Sequence, residues 1–390
     1  MSDKADRPLT VASRAGRRKK WRGRLVNPPV ERASTILFDN VAELGASRPG
    51  LGEYRYGLQG TATHWALSDA LTQLEPGAAG TLLYSSGLAA ITAALLSVLS
   101  SGDELLVTDS AYGPTRKFCD TILKRFGVKT RYYDPLAGEG IASLIEESTR
   151  AILLESPGSL TMEVQDVPAI AAAAHAAGAL VALDNTWSAG VYFDAFAHSV
   201  DVTMQALTKY VAGHSDVLLG SVTVRDAAAY QKLGATQQIL GYAASPDDCS
   251  LALRGMKTLA LRLLAIEDAA MTLARWLAER PEIDRVLHPA LPSCPGHEVW
   301  KRDFTGSTGV FAIVFQPRFD KAQVRGFVDA LDLFEIGYSW AGVTSLVMAY
   351  DLPASAGRPD YGHRIVRLNI GLEDVGDLTA DLAQALATLG

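Results

Sequence analysis

The sequence predicts an α/β protein: a large domain on a mostly parallel sheet, then a smaller α+β domain toward the C-terminal end. Three observations carry that expectation. Short apolar runs without polar alternation recur, as at Ala151-Ile152-Leu153-Leu154 and Ala179-Leu180-Val181-Ala182-Leu183. Alanine- and leucine-rich helical segments separate them, the pattern of parallel strands covered on both faces. From about Leu251 the chain changes to a long amphipathic helix followed by alternating strands and helices. A chain of 390 residues, 48% of them hydrophobic, suffices for two cores and an additional arm. The expected division is an N-terminal arm over 1–60, a large domain over 61–250 and a smaller domain over 251–390.

Residues 30–60 show little periodicity, and the neighbouring Pro28 and Pro29, with Pro49 and several glycines, make an extended or irregular arm. Its tip, Glu53-Tyr54-Arg55-Tyr56-Gly57-Leu58-Gln59-Gly60-Thr61, is aromatic and glycine-rich, as interface and ligand-contact loops commonly are. Leu67, Leu71 and Leu74 give a helix from Trp65 to Glu75, stopped by Pro76-Gly77. Thr81-Leu82-Leu83-Tyr84 is a strand, Ser85-Ser86-Gly87 a turn, and Leu88 to Leu99 a helix. At Ser86, Gly87 and Leu88 the helix start offers amide N–H groups and a positive dipole end to an anion, while Ser86 alone equally suits an ordinary N-cap. Neither a P-loop nor a dinucleotide-binding glycine motif is present there.

Glu104-Leu105-Leu106-Val107 is the next strand. Tyr112 falls just past its carboxyl end, where open α/β sheets bind ligands, and its ring either packs or stacks on a flat cofactor. A strand at 151–155 and a helix from Val167 to Gly178 repeat the pattern. Asp184 follows the run 179–183 directly, so it lies at the carboxyl edge of a buried strand and needs a cationic or hydrogen-bonding partner. It is either a turn aspartate or the counter-ion of a protonated ring nitrogen.

The stretch Thr203 to Tyr210 reads as an apolar strand ending on Lys209, before a loop containing Gly213. A lysine at a strand end is usually a solvated surface residue. Set among small and hydroxyl residues, it loses hydration, and its neutral amine becomes nucleophilic toward a carbonyl. Asp184 precedes Lys209 by 25 positions, enough for a crossover and one more strand, which lets both reach one sheet edge. Asp216 to Val224 supplies a further strand pair or hairpin. Leu251, Leu253, Met256, Leu259, Leu263 and Ile266 share one apolar face of a long helix, and strands follow at 310–315 and 365–370. Arg367 interrupts the last strand, and its guanidinium needs a carboxylate there, from a substrate or from an internal Asp or Glu.

No apolar run reaches the roughly 18 residues of a membrane span, so a soluble, cytoplasmic protein without membrane partners is expected. Cys119, Cys249 and Cys294 form no CxxC pair, which argues against a disulfide framework or a zinc knuckle. His288, Cys294 and His297 lie in a proline-rich loop without a second cluster, and no metal is expected. The net charge of −7 hides a basic segment: residues 1–24 hold nine Lys and Arg against Asp3 and Asp6, so they carry +7 and the remainder −14. With Trp21 its one aromatic and an acidic body behind it, the segment points to an acidic partner subunit and away from nucleic acid; its arginines also suit an organelle transit peptide, against which Asp3, Asp6 and the few serines argue.

A phosphate-binding helix start, a stacking tyrosine, an aspartate and a lysine, each at a strand end in this order, have one natural combined use. They describe a fold-type-I site for pyridoxal 5'-phosphate, held on Lys209. At the same residues the chain resembles the Cys/Met-metabolism PLP-dependent enzymes over nearly its whole length. The resemblance rests on Tyr56-Gly57, Gly60 to His64, Glu155-Ser156-Pro157-Gly158-Ser159, Asp184-Asn185-Thr186-Trp187, Thr208-Lys209-Tyr210, Gly213-His214-Ser215-Asp216, Trp300 to Ser307, Tyr338-Ser339-Trp340 and Arg367 to Asp374.

The resemblance implies that Lys209 carries the cofactor and moves protons, Asp184 pairs with the pyridine nitrogen and Tyr112 stacks on the ring. Ser86, Gly87, Leu88 and Thr208 would hold the phosphate, and Tyr56 would reach the phosphate in a neighbouring subunit. Arg367, with Ser339 and Trp340, would hold the carboxylate of an amino-acid substrate. The family's active sites are shared between subunits of a homotetramer, which gives the arm tip a purpose. The implied reaction is β-elimination at the Cβ–S bond of L-cystathionine. A broader cysteine-S-conjugate β-lyase, a γ-elimination relative and, in a different class, a PLP-binding regulator with little turnover are the alternatives.

Several positions depart from the family pattern. Leu58 stands where an arginine usually meets the neighbour's phosphate, Ala206 where many relatives use serine, and Ser159 where many use asparagine. Ala341 and Thr344 replace frequent glycine and glutamate. Weaker phosphate anchoring follows unless Arg55 or another cation substitutes.

Overall fold

The computed structural model describes residues 7–48, 50–355 and 358–389; Pro49 of the arm and Asp3, Lys4 and Asp6 of the basic segment lie outside the described residues. Among the described residues twelve strands occur: β1 (Gly80–Tyr84), β2 (Glu104–Thr108), β3 (Lys129–Tyr133), β4 (Thr149–Glu155), β5 (Leu180–Asp184), β6 (Val202–Ala206), β7 (Gly220–Val224), β8 (Ile283–Leu287), β9 (Val310–Phe315), β10 (Glu335–Ile336), β11 (Leu346–Leu352) and β12 (Gly362–Asn369). The chain forms two compact units, Met1–Val98 with Ala189–Ala260, and Leu99–Ser188 with Leu261–Gly390.

In the first unit β7 is antiparallel to both β1 and β6, with Val222 registered against Leu82 and Met204. The segment expected to give a strand pair or hairpin thus contributes one strand, which pairs with its predecessor β6. The helix Gly87–Val98 packs on β6 and β7 through buried Ala90, Ile91, Ala94 and Leu95. The arm is more ordered than expected: helices form at Pro8–Arg14, Lys19–Arg22 and Val41–Ala46, and a 3₁₀ turn at Gly57–Gln59. Asn40 caps the third helix, its Oδ1 accepting from the Glu43 amide at 2.9 Å.

The long helix expected from Leu251 is broken into Pro246–Met256 and Leu259–Ala278. At the break the Thr258 hydroxyl and amide both donate to the Gly255 carbonyl, at 3.1 and 3.0 Å, a local bond that competes with helix continuation.

In the second unit β5, β4, β2 and β3 are neighbours and all parallel. β3 escapes a hydrophobicity reading because Lys129 and Arg131 interrupt it. Both meet the fully buried Glu104 of β2, Lys129 at 2.9 Å and Arg131 at 2.6 Å, and Thr149 adds a bond at 2.7 Å. The order β10-β11-β12-β9-β8 makes a second, largely antiparallel sheet. Phe311, Ile313 and Phe315 of β9 pack there with Leu273 and Leu277, and with Leu378 and Leu382 of the helix Val375–Ala387. Fully burying such side chains contributes about 1.5–3 kcal/mol each. No helix of the described residues is long and apolar enough to cross a membrane.

Candidate active site

Because β1 and β6 are both antiparallel to β7, they run in the same direction and their carboxyl ends share an edge of the first unit. Ser86-Gly87-Leu88 follows β1, and Thr208-Lys209 follows β6. Ser86 is a true N-cap: its Oγ accepts from the Ala89 amide and its carbonyl from the Ala90 amide, both at 3.1 Å. Capping and anion binding are compatible here, since the Gly87 and Leu88 amides come before any intrahelical acceptor. A Cβ on Gly87 would lie 2.5 Å from the Ala206 Cβ. Glycine at 87 and a small residue at 206 therefore define the cradle together.

Lys209 is half-buried and sits three residues beyond the end of β6, in a turn and not on the strand itself. Its amide donates to the Ala206 carbonyl at 3.0 Å, and its carbonyl accepts from Gly213 at 2.8 Å. The Thr208 hydroxyl accepts from the Leu219 amide at 3.0 Å and donates to the Leu219 carbonyl at 3.1 Å, so a phosphate must draw its proton away from that carbonyl. Tyr56 is 52% exposed at the start of the 3₁₀ turn. Leu58 is half-buried, while Arg55 is exposed and no described residue forms an ion pair or hydrogen bond with its guanidinium.

Parallel pairing brings Tyr112, Glu155 and Asp184 to the carboxyl edge of β2, β4 and β5 in the second unit. Asp184 Oδ1 accepts from the Thr186 amide at 3.1 Å and its hydroxyl at 2.5 Å. Glu155, to which the sequence assigned no role in the site, is registered against Asp184, and its Oε2 accepts the Tyr112 amide at 2.7 Å. Burial, then the Asp184 charge, hold its carboxyl well above the usual carboxylate range, and the Tyr112 amide opposes them. Tyr112 is raised by burial and then by the charges of Glu155 and Asp184, with Arg367 pulling the other way, so the phenol keeps its proton at neutral pH.

Arg367 lies on β12 and is only 7% exposed. Its Nη2 donates to the Ser339 carbonyl at 2.9 Å, and its guanidinium lies 5.6 Å from the centre of the Tyr350 ring. Among the described residues no Asp or Glu pairs with it, so the internal-acid alternative is not realised. Burial lowers its pKa, while Tyr350 and Tyr112 support the charge. Tyr350 lies on β11, which the sequence reading had not identified. Ser339 and Ala341 flank the half-buried Trp340 in left-handed conformations, φ 80° and 70°, and the Ala341 amide is held by Asn369 Oδ1 at 2.8 Å. Non-glycine residues in that region mark segments held by their surroundings.

The three residues considered as metal ligands bond to backbone: His288 Nε2 to the Thr308 carbonyl at 3.3 Å, His297 Nδ1 to the Pro289 carbonyl at 2.8 Å and Cys294 Sγ to the Met162 carbonyl at 3.2 Å.

Uncommitted helix-start amides over a cradle with no room for a side chain fit a phosphate, and a buried arginine without an acid fits a carboxylate. Those features suit pyridoxal phosphate and an amino acid, and the chain belongs to the Cys/Met metabolism PLP-dependent enzyme family, whose model matches residues 9–387. It is 46% identical to a putative cystathionine beta-lyase of Rhizobium johnstonii, over 93% of this chain and 91% of that one. It is 42% identical to cystathionine beta-lyase MetC of Escherichia coli (strain K12), over 99% of this chain and all of the relative. The crystal structure of cystathionine gamma synthase from Xanthomonas oryzae pv. oryzae superposes with a TM-score of 0.90 at 30% identity, covering 99% of each chain. The α/β fold expected from the sequence is thus the one found, and the family's cofactor is pyridoxal phosphate.

Proposed function

We propose that the chain is a PLP-dependent carbon–sulfur β-lyase that cleaves L-cystathionine to homocysteine, pyruvate and ammonia, a step of methionine biosynthesis. The observation that carries the amino-acid substrate is Arg367, a buried guanidinium that no described acid neutralises. Relatives named cystathionine beta-lyase at 41–46% identity support the choice of bond.

Pyridoxal phosphate, when bound, supplies an electron sink for the negative charge left at Cα. Lys209 would anchor it and, once displaced by the substrate amine, take the Cα proton. Asp184, oriented through Thr186, would hold a proton on the ring nitrogen, and the Tyr112 ring would cover the cofactor's face. The Gly87 and Leu88 amides, Ser86 and Thr208 would hold the phosphate. Arg367 would grip the substrate carboxylate bidentately, with Ser339 and Trp340 beside it. In a homotetramer, with residues 1–60 as arm, Tyr56 would serve the site of a neighbouring copy, which suits its exposure in the single chain. Three buried unpaired thiols, Cys119, Cys249 and Cys294, suit a reducing cytoplasm.

Product analysis from cystathionine tests the reading. Pyruvate as the main keto acid is expected; 2-oxobutyrate would place the chain among the γ-elimination enzymes instead.

A further inference from the structure

The basic N-terminal segment takes no part in the chemistry above, yet it is not a loose tail. Ala12, Ala15 and Trp21 are buried. Between the helices Pro8–Arg14 and Lys19–Arg22, Gly16 turns at φ +73°, and a Cβ there would lie 2.4 Å from the Ala66 carbonyl oxygen. That close approach fixes the turn on the helix Ala62–Leu74. Lys257 Nζ donates to the Ala15 carbonyl at 2.6 Å. Arg22 is pinned by its Nε on the Arg17 carbonyl at 2.9 Å and its Nη1 on the Leu25 carbonyl at 2.8 Å.

This framework sets Arg14, Arg17, Arg18 and Arg22 around one recess of about 520 Å³. Asp69 is the one acid in its lining, and it is already committed, to Arg18 through Oδ1 and to Gln73 Nε2 through Oδ2 at 2.7 Å. Arg17 donates only its Nε, to Asn27 Oδ1 at 3.3 Å, and neither terminal nitrogen meets a hydrogen-bond partner among the described residues. Burial, and then the Arg17 charge, lower the pKa of the nearby Lys257 ammonium from 10.5 to about 8.

We propose that this recess binds a small, multiply charged oxyanion of the phosphate-ester or pyrophosphate class. Planar guanidinium forks match phosphoryl oxygens bidentately, and a preformed set of them spares the ligand the ordering cost of gathering four long side chains. The volume falls in the range of small-molecule sites. A nucleic-acid surface is disfavoured because Trp21, the segment's one aromatic, is buried and has no face to offer a base. An anion beside Arg17 also removes the charge that opposes protonation of Lys257. Binding therefore takes up a proton, and this coupling weakens affinity as pH rises past about 8.

The test is calorimetric titration of the holoenzyme with inorganic pyrophosphate at constant ionic strength, the cofactor's own phosphate site being filled. Saturable binding is expected, weakened about tenfold or more by Arg17→Ala and less by Arg17→Lys, with turnover of both variants at the wild-type level to show that they fold. Between about pH 7 and about pH 9.5, where pyrophosphate itself sheds protons, wild-type affinity should fall relative to that of Lys257→Met; parallel profiles for the two would sink the coupling. Equal binding by wild type and Arg17→Ala overturns the site. So does an equal saturable heat when chloride is titrated in place of pyrophosphate at the same ionic strength. A short DNA duplex binding more tightly than pyrophosphate overturns the ligand class.

Discussion

The two units offer groups of opposite kinds for holding an anion. The edge of the first unit offers main-chain amides over a cradle of small residues, with Lys209 its one cation after β6. The second unit relies on charged and aromatic side chains that constrain one another: at its sheet edge Glu155 holds the Tyr112 amide and Asp184 loads Glu155, while in its second sheet Tyr350 lies beside Arg367. Main-chain binding depends on space, and side-chain binding on identity. Leu58 and Ala206 therefore need not weaken the first edge greatly, whereas few exchanges should be tolerated at the second.

The largest expected effect tests the exception to that contrast, the lysine. Lys209→Ala should cut turnover about a thousandfold or more and abolish the visible absorption band of the lysine-bound cofactor; a band that survives the substitution contradicts the assignment. Next comes the second edge. Arg367→Ala removes one partner of a buried charge pair, worth about 2–5 kcal/mol, so kcat/KM for cystathionine should fall about a hundredfold with most of the change in KM. A similar loss in kcat at unchanged KM would mean that Arg367 acts on the reacting bond and not on the carboxylate. At the first edge, Gly87→Ala introduces a Cβ against Ala206 and should loosen pyridoxal phosphate about tenfold in equilibrium dialysis, leaving KM nearly unchanged. Unchanged affinity would show that the cradle is not space-limited. The smallest effect is a gain: Ala341→Gly relieves a left-handed φ of 70° and should raise thermal stability by about 0.5 kcal/mol, since the freed strain slightly exceeds glycine's added entropy.

Much of this was legible in the sequence because buried parallel strands leave continuous apolar runs, and the candidate site residues fall where those runs end. Asp184 and Tyr112 sit where those runs end, and Arg367 betrayed itself by interrupting one. Lys209 was placed on a strand, but backbone hydrogen bonding moves it into the turn beyond. β3 was invisible because its cations, Lys129 and Arg131, answer a buried Glu104 that only pairing reveals. Glu155 and Tyr350 were missed for a related reason: each matters through a neighbour across a ladder or a ring, and no spacing along one strand encodes that. The break after Met256 depends on Thr258 turning its hydroxyl back on Gly255, a choice that apolar periodicity does not record.

Ser86 has a further consequence for how this anchor is inherited. By spending its own side chain and carbonyl on Ala89 and Ala90, it leaves a ligand the Gly87 and Leu88 amides, groups that belong to no side chain. Drift at position 88 changes what lines the helix without touching the amide, with one exception. Proline suits the first turn of a helix and lacks an N–H, so Leu88→Pro should keep the helix and delete a single donor. Cofactor retention in that variant would measure, one main-chain group at a time, how much of the anchor rests on amides alone.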